Sequence, residues 1–176
     1  MTKPQELLPE GDPLAIFNQH YKKMDELYHR YAKAKGLSDA GLWLLYSLCL
    51  SKGPITQRAL ADEWHYPPQT FHSALQNLVK NGLITLAPLE GNRKNKAVLL
   101  TESGDELMKT VILPLIHAER QAISRLSRQD QQLLLHLMGQ YVTLLEEAIA
   151  PLSQENRKKE SALSKSADKT DDAPSP

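Results

Sequence analysis

Apolar residues recur at spacings of three and four from Phe71 through Ala74, Leu75, Leu78 and Val79, so they share one face of a helix. The opposite face carries Gln69, Thr70, Ser73, Gln76, Asn77 and Lys80, and only the last is charged. A helix that needed no more than solubility would show Glu and Lys at several of these positions. Amides and hydroxyls instead donate to and accept from base edges, so the outward face is built to read. Pro67 and Pro68 stop the preceding segment and supply a first helical turn, where a missing backbone donor costs nothing. Asn81 and Gly82 are expected to end the helix by accepting positive φ.

Upstream, Thr56 is a fitting N-cap for a short helix through Glu63, with Ala59, Leu60 and Trp64 on its inner side. Only His65 and Tyr66 link it to the polar-faced helix. So tight a connection forces a steep crossing, in which the first helix braces a nucleic-acid backbone and the second enters the major groove. Thr56 and Gln57, at the start of the bracing helix, join the expected contacts. Downstream, the short apolar runs Leu83 to Pro88 and Lys96 to Leu100 flank LEGNRKN, a hairpin pattern. Its tip and return strand carry Arg93, Lys94 and Lys96 against Glu90, which suits phosphates or an adjacent minor groove.

The ends of the chain carry a different pattern. After Asp12 as N-cap and Pro13 at the first helical position, Leu14, Phe17, Tyr21, Met24, Tyr28 and Tyr31 form a heptad-like seam. Glu102 to about Ser124 and Arg128 to about Ala150 read as two long helices, with Ser127 capping the second and Asp130 at the capping-box position. Pro114 should bend the first of them. The second has Leu134, Leu137, Met138, Tyr141, Leu145, Ala148 and Ile149 on one stripe, widened by Leu133, Leu135, Val142 and Leu144. Apolar residues on so many sides call for more than one neighbour. A small winged domain cannot cover both terminal helices, which points to a homodimer with Leu14, Phe17, Tyr21, Met24, Leu134, Leu137, Met138, Tyr141 and Leu145 in the interface. A two-fold axis would then present two reading helices to half-sites about 10 bp apart.

The segment LADEWHYPPQTFHSALQNLVKNGLI and the following GNRKNKAVLLTESG resemble the multiple-antibiotic-resistance regulator (MarR) family of bacterial transcription factors. With the flanking helices, the resemblance extends over residues 12 to 150. It implies that Pro68, Gln69, Thr70, His72, Ser73 and Gln76 face the major groove and that Arg93 is the wing arginine. It also implies a dimer made from the terminal helices, and a small-molecule effector held between the long C-terminal helix and the winged domain. The family often has an aspartate before its wing arginines, where Asn92 stands here with Lys94 as the next basic residue. Its helix–helix turn often holds glycine, where this chain has His65.

Composition bounds these readings. With 176 residues, 41% of them hydrophobic, the chain can bury a single core, and the shortage of strand patterns outside the hairpin makes it mainly α. The expected architecture is a winged helix-turn-helix with a small β-hairpin wing, flanked by N- and C-terminal dimerisation helices. Its parts are an N-terminal helix over 12–36, the winged domain over 37–103, the C-terminal helices over 104–150 and a Ser-, Lys-, Asp- and Pro-rich tail over 153–176 that should stay disordered. No apolar run approaches a membrane span and no signal segment opens the chain, so a cytoplasmic location with no membrane partner is expected.

The net charge is zero over the whole chain, and again over residues 1–152. Attraction to phosphates must then come from the wing and from helix N-termini, which predicts modest non-specific affinity and a shallow salt slope. No phosphate loop, nucleophile motif or metal-spaced histidine pair occurs, so no enzyme, cofactor or metal is expected. Cys49, the only cysteine, lies in the apolar stretch LWLLYSLCL and reads as a buried inert thiol. The expectation is a homodimeric, effector-released repressor bound to double-stranded DNA. The other class of protein fitting the same polar face is a winged-helix scaffold that binds protein.

Overall fold

The computed structural model describes residues 11–63, 67–89 and 92–167, with the side chains of all of these except 89, 92–95 and 153–167. The chain divides into two compact units, residues 1–118 and 119–176.

The first unit begins with helix α1 (Pro13–Ala34), where the Asp12 carboxylate accepts from the amides of Leu14 at 2.7 Å and Ala15 at 3.3 Å. The helix closes on Gly36 at φ +70°, with Leu37 N–H donating to Ala32 O and Gly36 N–H to Lys33 O. That pair of bonds satisfies two carbonyls the helix itself leaves open. Helix α2 (Asp39–Leu50) follows, capped by the Ser38 hydroxyl, and is apolar almost all round. It is therefore the central helix, with Leu42, Leu44 and Leu45 fully buried among Leu60, Leu75, Ile84 and Ile112. Trp43 contacts Tyr28 of α1 in a tilted pair at 4.8 Å and Tyr46 edge to face at 5.4 Å.

A two-residue strand β1 (Ile55–Thr56), helix α3 (Gln57–Glu63), helix α4 (Pro68–Lys80) and strands β2 (Ile84–Leu89) and β3 (Asn92–Leu100) form the winged part. The sheet is antiparallel in the order β1-β3-β2, with Ile55 opposite Val98 and Ile84 opposite Leu100. The hairpin is as expected, but β3 starts earlier than Lys96 and β1 adds a third strand. Two residues carry no periodicity, so β1 exists only because β3 is there to pair with it. Pro88 sits in an edge strand, where its missing N–H breaks no ladder.

Two local expectations are corrected. Ala59 is exposed and Ala61 takes the half-buried position beside fully buried Leu60. Only Gly82 adopts positive φ, at +67°, while Asn81 keeps φ −81° as the cap residue. The linker of Trp64, His65 and Tyr66 lies outside the described residues.

The expected helix from Glu102 to Ser124 is divided: α5 (Glu102–Leu107), a π-helical turn (Met108–Ile112) and α6 (Leu113–Ser124). Leu113 N–H reaches back five residues to Met108 O. The widened turn immediately precedes Pro114, whose ring would press on the carbonyl four residues back in a regular helix. The α5 end is fixed by Thr101, whose amide donates to Leu83 O and whose hydroxyl donates to Gly82 O and accepts from Gly104 N–H.

In the second unit, helix α7 runs from Arg128 to Ala167. Asp130 N–H donates to the Ser127 hydroxyl at 3.1 Å, and that hydroxyl donates in turn to the Asp130 carboxylate at 2.6 Å. The helix continues past Ala150 through Pro151, so residues 153–167, read above as disordered tail, have helical backbone. Nine of those fifteen residues are Glu, Lys, Arg, Ala or Leu, all good helix formers. Residues 168–176 lie outside the described part. No helix among the described residues is long and apolar enough to cross a membrane.

Candidate nucleic-acid interface

Helix α4 is divided lengthwise as its sequence requires. Phe71, Ala74, Leu75 and Leu78 are buried against the core. Pro68, Gln69, Thr70, His72, Ser73, Gln76, Asn77 and Lys80 are all exposed. Pro67 precedes the helix and supplies no side-chain cap. The far end is locked by Gly82, with Leu83 N–H donating to Leu78 O and Gly82 N–H to Val79 O. A helix held at its C-terminal end and packed along one face presents its polar side chains from a rigid base.

A groove runs along each flank of this ridge. On the wing side, one of about 520 Å³ is lined by Thr56, Gln57 and Arg58 of β1 and α3, by Pro68, His72 and Gln76 of α4, and by Leu86 and Lys96 of the hairpin. On the other side, one of about 710 Å³ lies between the start of α2, at Ser38, Asp39 and Ala40, and Gln69, Thr70, Ser73 and Asn77 of α4. The charges of the two grooves differ. The wing-side groove carries the cations Arg58 and Lys96, and Asp39 is the charged group lining the other.

The structure brings Thr56, Gln57, Pro68, His72, Gln76 and Lys96 together in one groove and Gln69, Thr70 and Ser73 in the other. The Thr56 hydroxyl is also engaged at 3.1 Å by Ala59 N–H, so it caps α3 from within the groove. Asn92, Arg93 and Lys94 have backbone at the start of β3, and their side chains lie outside the described part.

Sequence reasoning left out Ser38, Asp39 and Arg58. Arg58 stood next to Gln57 and could have been found from the first turn of α3. It lies 3.8 Å from Asp62 in an exposed i,i+4 pair too weak to withhold it from another anion. Ser38 and Asp39 lie some thirty residues before α4, roughly the separation that only packing of α2 on α4 closes. Cys49 is half-buried rather than fully enclosed. Among the described residues no group of His, Cys, Asp and Glu could hold a metal ion.

The expected dimerisation residues are open to solvent within the chain. Leu14, Tyr21 and Met24 of α1 are exposed and Phe17 half-buried, whereas Tyr28 and Tyr31 of the same seam pack on the core. Leu134, Leu137, Met138 and Leu145 of α7 are exposed too, with Tyr141 half-buried.

A polar-faced helix preceded by a shorter one and followed by an antiparallel hairpin defines a winged helix-turn-helix protein. Residues 35–94 match the family model described as MarR family. The fold is similar to the transcription regulator MarR from Oenococcus oeni PSU-1, at TM-score 0.62 and 16% identity over 73% of this chain and 97% of that one. It is similar to S. aureus MepR in its DNA-binding conformation, at TM-score 0.65 and 18% identity over 74% and 96% of the two chains. The S. aureus MepR–DNA complex aligns at TM-score 0.63 and 18% identity, again over 74% and 96%. Comparison with curated proteins finds no match.

Proposed function

We propose that this chain is a sequence-specific DNA-binding transcriptional regulator that acts as a homodimer on a pseudo-palindromic site. The observation that carries this reading is the α4 ridge: exposed amides and hydroxyls on a helix packed along its apolar face, with Arg58 and Lys96 lining the groove on its wing side. Neutral hydrogen-bonding groups suit base edges, and cations beside them suit phosphates. Gln69, Thr70, His72, Ser73 and Gln76 read the major groove, Thr56, Gln57, Arg58 and Lys96 hold the backbone, and Asn92, Arg93 and Lys94 at the tip extend the contact. The S. aureus neighbour solved with DNA has the same fold, which supports this assignment.

The exposed apolar stripes of α1 and α7 support the homodimer, since contiguous apolar surface of that extent marks an interface. Regulation is repression relieved by a small-molecule effector. The effector favours a dimer whose reading helices are wrongly spaced, and it acts only as far as its affinities for the two shapes differ.

The test is selection of bound fragments from the source organism's genomic DNA by the purified protein at two salt concentrations. An enriched two-fold site that survives the higher salt is the expected result. Uniform weak binding that vanishes with salt would replace this reading with that of a protein-binding scaffold.

A further inference from the structure

The acidic side of the reading ridge is the feature that DNA binding by itself does not explain. Asp39 lines the larger groove directly across from Gln69, Thr70 and Ser73, where a strand entering the groove would bring its phosphates close to a carboxylate. That carboxylate is held from behind. The His29 Nδ1 atom of α1 lies 3.1 Å from Asp39 Oδ1 and 3.0 Å from Oδ2, with the two side chains 51% and 48% exposed. Protonated, His29 cancels the charge of Asp39; neutral, it leaves the groove with a net negative wall.

Resting on the reading above, we propose that the groove between α2 and α4 takes a phosphodiester strand of the bound DNA, and that His29 is a positioning residue acting through Asp39. DNA docking at this groove therefore takes up a proton. The phosphates favour the protonated pair, and by linkage the protonated pair binds DNA more tightly.

The charges around the pair leave this balance to His29. On α1, Asp25 and Lys33 stand one turn to either side of His29 with opposite signs, and Arg30 is engaged by Glu26 at 3.5 Å. On α2 the facing group is Asp39 itself. Across the groove α4 contributes Gln69, Thr70, Ser73 and Asn77, none of which titrates. His72 of α4 lines the wing-side groove instead, with Arg58 and Lys96.

The experiment measures affinity for a duplex selected from genomic DNA, from about pH 8 to about pH 6, at constant salt. The proteins are wild type, His29→Gln, Asp39→Asn and His72→Gln. Wild-type affinity should rise by about tenfold over that range, within the limit set by one proton. Asp39→Asn should bind tightly throughout and His29→Gln weakly throughout, both with flat profiles, while His72→Gln keeps the wild-type slope. A merely structural role for the pair would move both variants the same way and leave the slope in place. A flat wild-type profile, or a slope lost in His72→Gln and kept in Asp39→Asn, overturns the inference while leaving the DNA reading intact. Failure of the wild type to select any duplex overturns both.

Discussion

The Tyr31 hydroxyl donates a 2.7 Å hydrogen bond to the carbonyl oxygen of Val111, tying α1 to the π-helical turn eighty residues later in the chain. The turn needs such a partner because its shifted bonds leave carbonyls pointing away from the usual donors. The tether therefore fixes the N-terminal helix to the segment that leads away from the wing.

Tyr31→Phe keeps the ring and removes the bond. It should lower stability by about 1 kcal/mol, read as a reduced urea midpoint with unchanged slope. The two proteins should also differ in alkali. Burial pushes the Tyr31 hydroxyl above its ordinary value, so the native state holds this proton more firmly than the unfolded chain does. The resulting stability is fully present below about pH 10 and is lost as pH rises through the folded value, and the Phe variant lacks that component. Identical alkaline profiles would show that the hydroxyl is not held as described.

Gly104 is fixed by a close approach rather than by its backbone angles. A Cβ built there would lie 1.9 Å from the carbonyl oxygen of Leu83, a backbone atom already accepting from Thr101 N–H. Gly104→Ala should therefore push α5 off the end of the sheet at a cost of about 3 kcal/mol or more. A wild-type midpoint in urea would contradict the contact.

Arg58→Ala and Lys96→Ala should each weaken DNA binding across all sequences and reduce the slope of log affinity against log salt by about 0.9. Gln69→Ala should behave differently, changing preference at particular base pairs by about 1–3 kcal/mol with the salt slope kept. Titration of selected duplexes at several salt concentrations separates the two kinds of contact. Equal salt slopes for Arg58→Ala and wild type would remove Arg58 from the interface.

On α7, Leu137 is 51% exposed and Met138 37%. Replacing both with Glu places charge on the surface assigned to the homodimer. The expected result is a monomer by sedimentation with loss of two-fold DNA binding, while helical content measured by circular dichroism is largely retained. A dimer of undiminished strength would move the interface elsewhere.

The winged part was legible in the sequence because its information is local. The spacing of Phe71, Ala74, Leu75 and Leu78 fixes which face of α4 is buried, and so which side chains are offered outward. Asp12, Thr56, Ser127 and Gly82 mark helix ends through bonds to residues within a few positions of themselves. Those motifs depend on the backbone immediately around them, and nothing distant could have changed them.

Tertiary structure decided what depends on residues far apart. Strand β1 exists through its pairing with Val98 and Ala97, and the division of the long C-terminal helix at Met108–Ile112 is completed by Tyr31. The α1 seam looked continuous, yet Tyr28 and Tyr31 are spent on the chain's own core while Leu14, Tyr21 and Met24 stay open. Asp39 came to line the groove beside α4 only when α2 packed against α4, and acquired its histidine only when α1 packed against α2. Periodicity determines which way a side chain faces on its own element, and the packing of elements decides what it meets there.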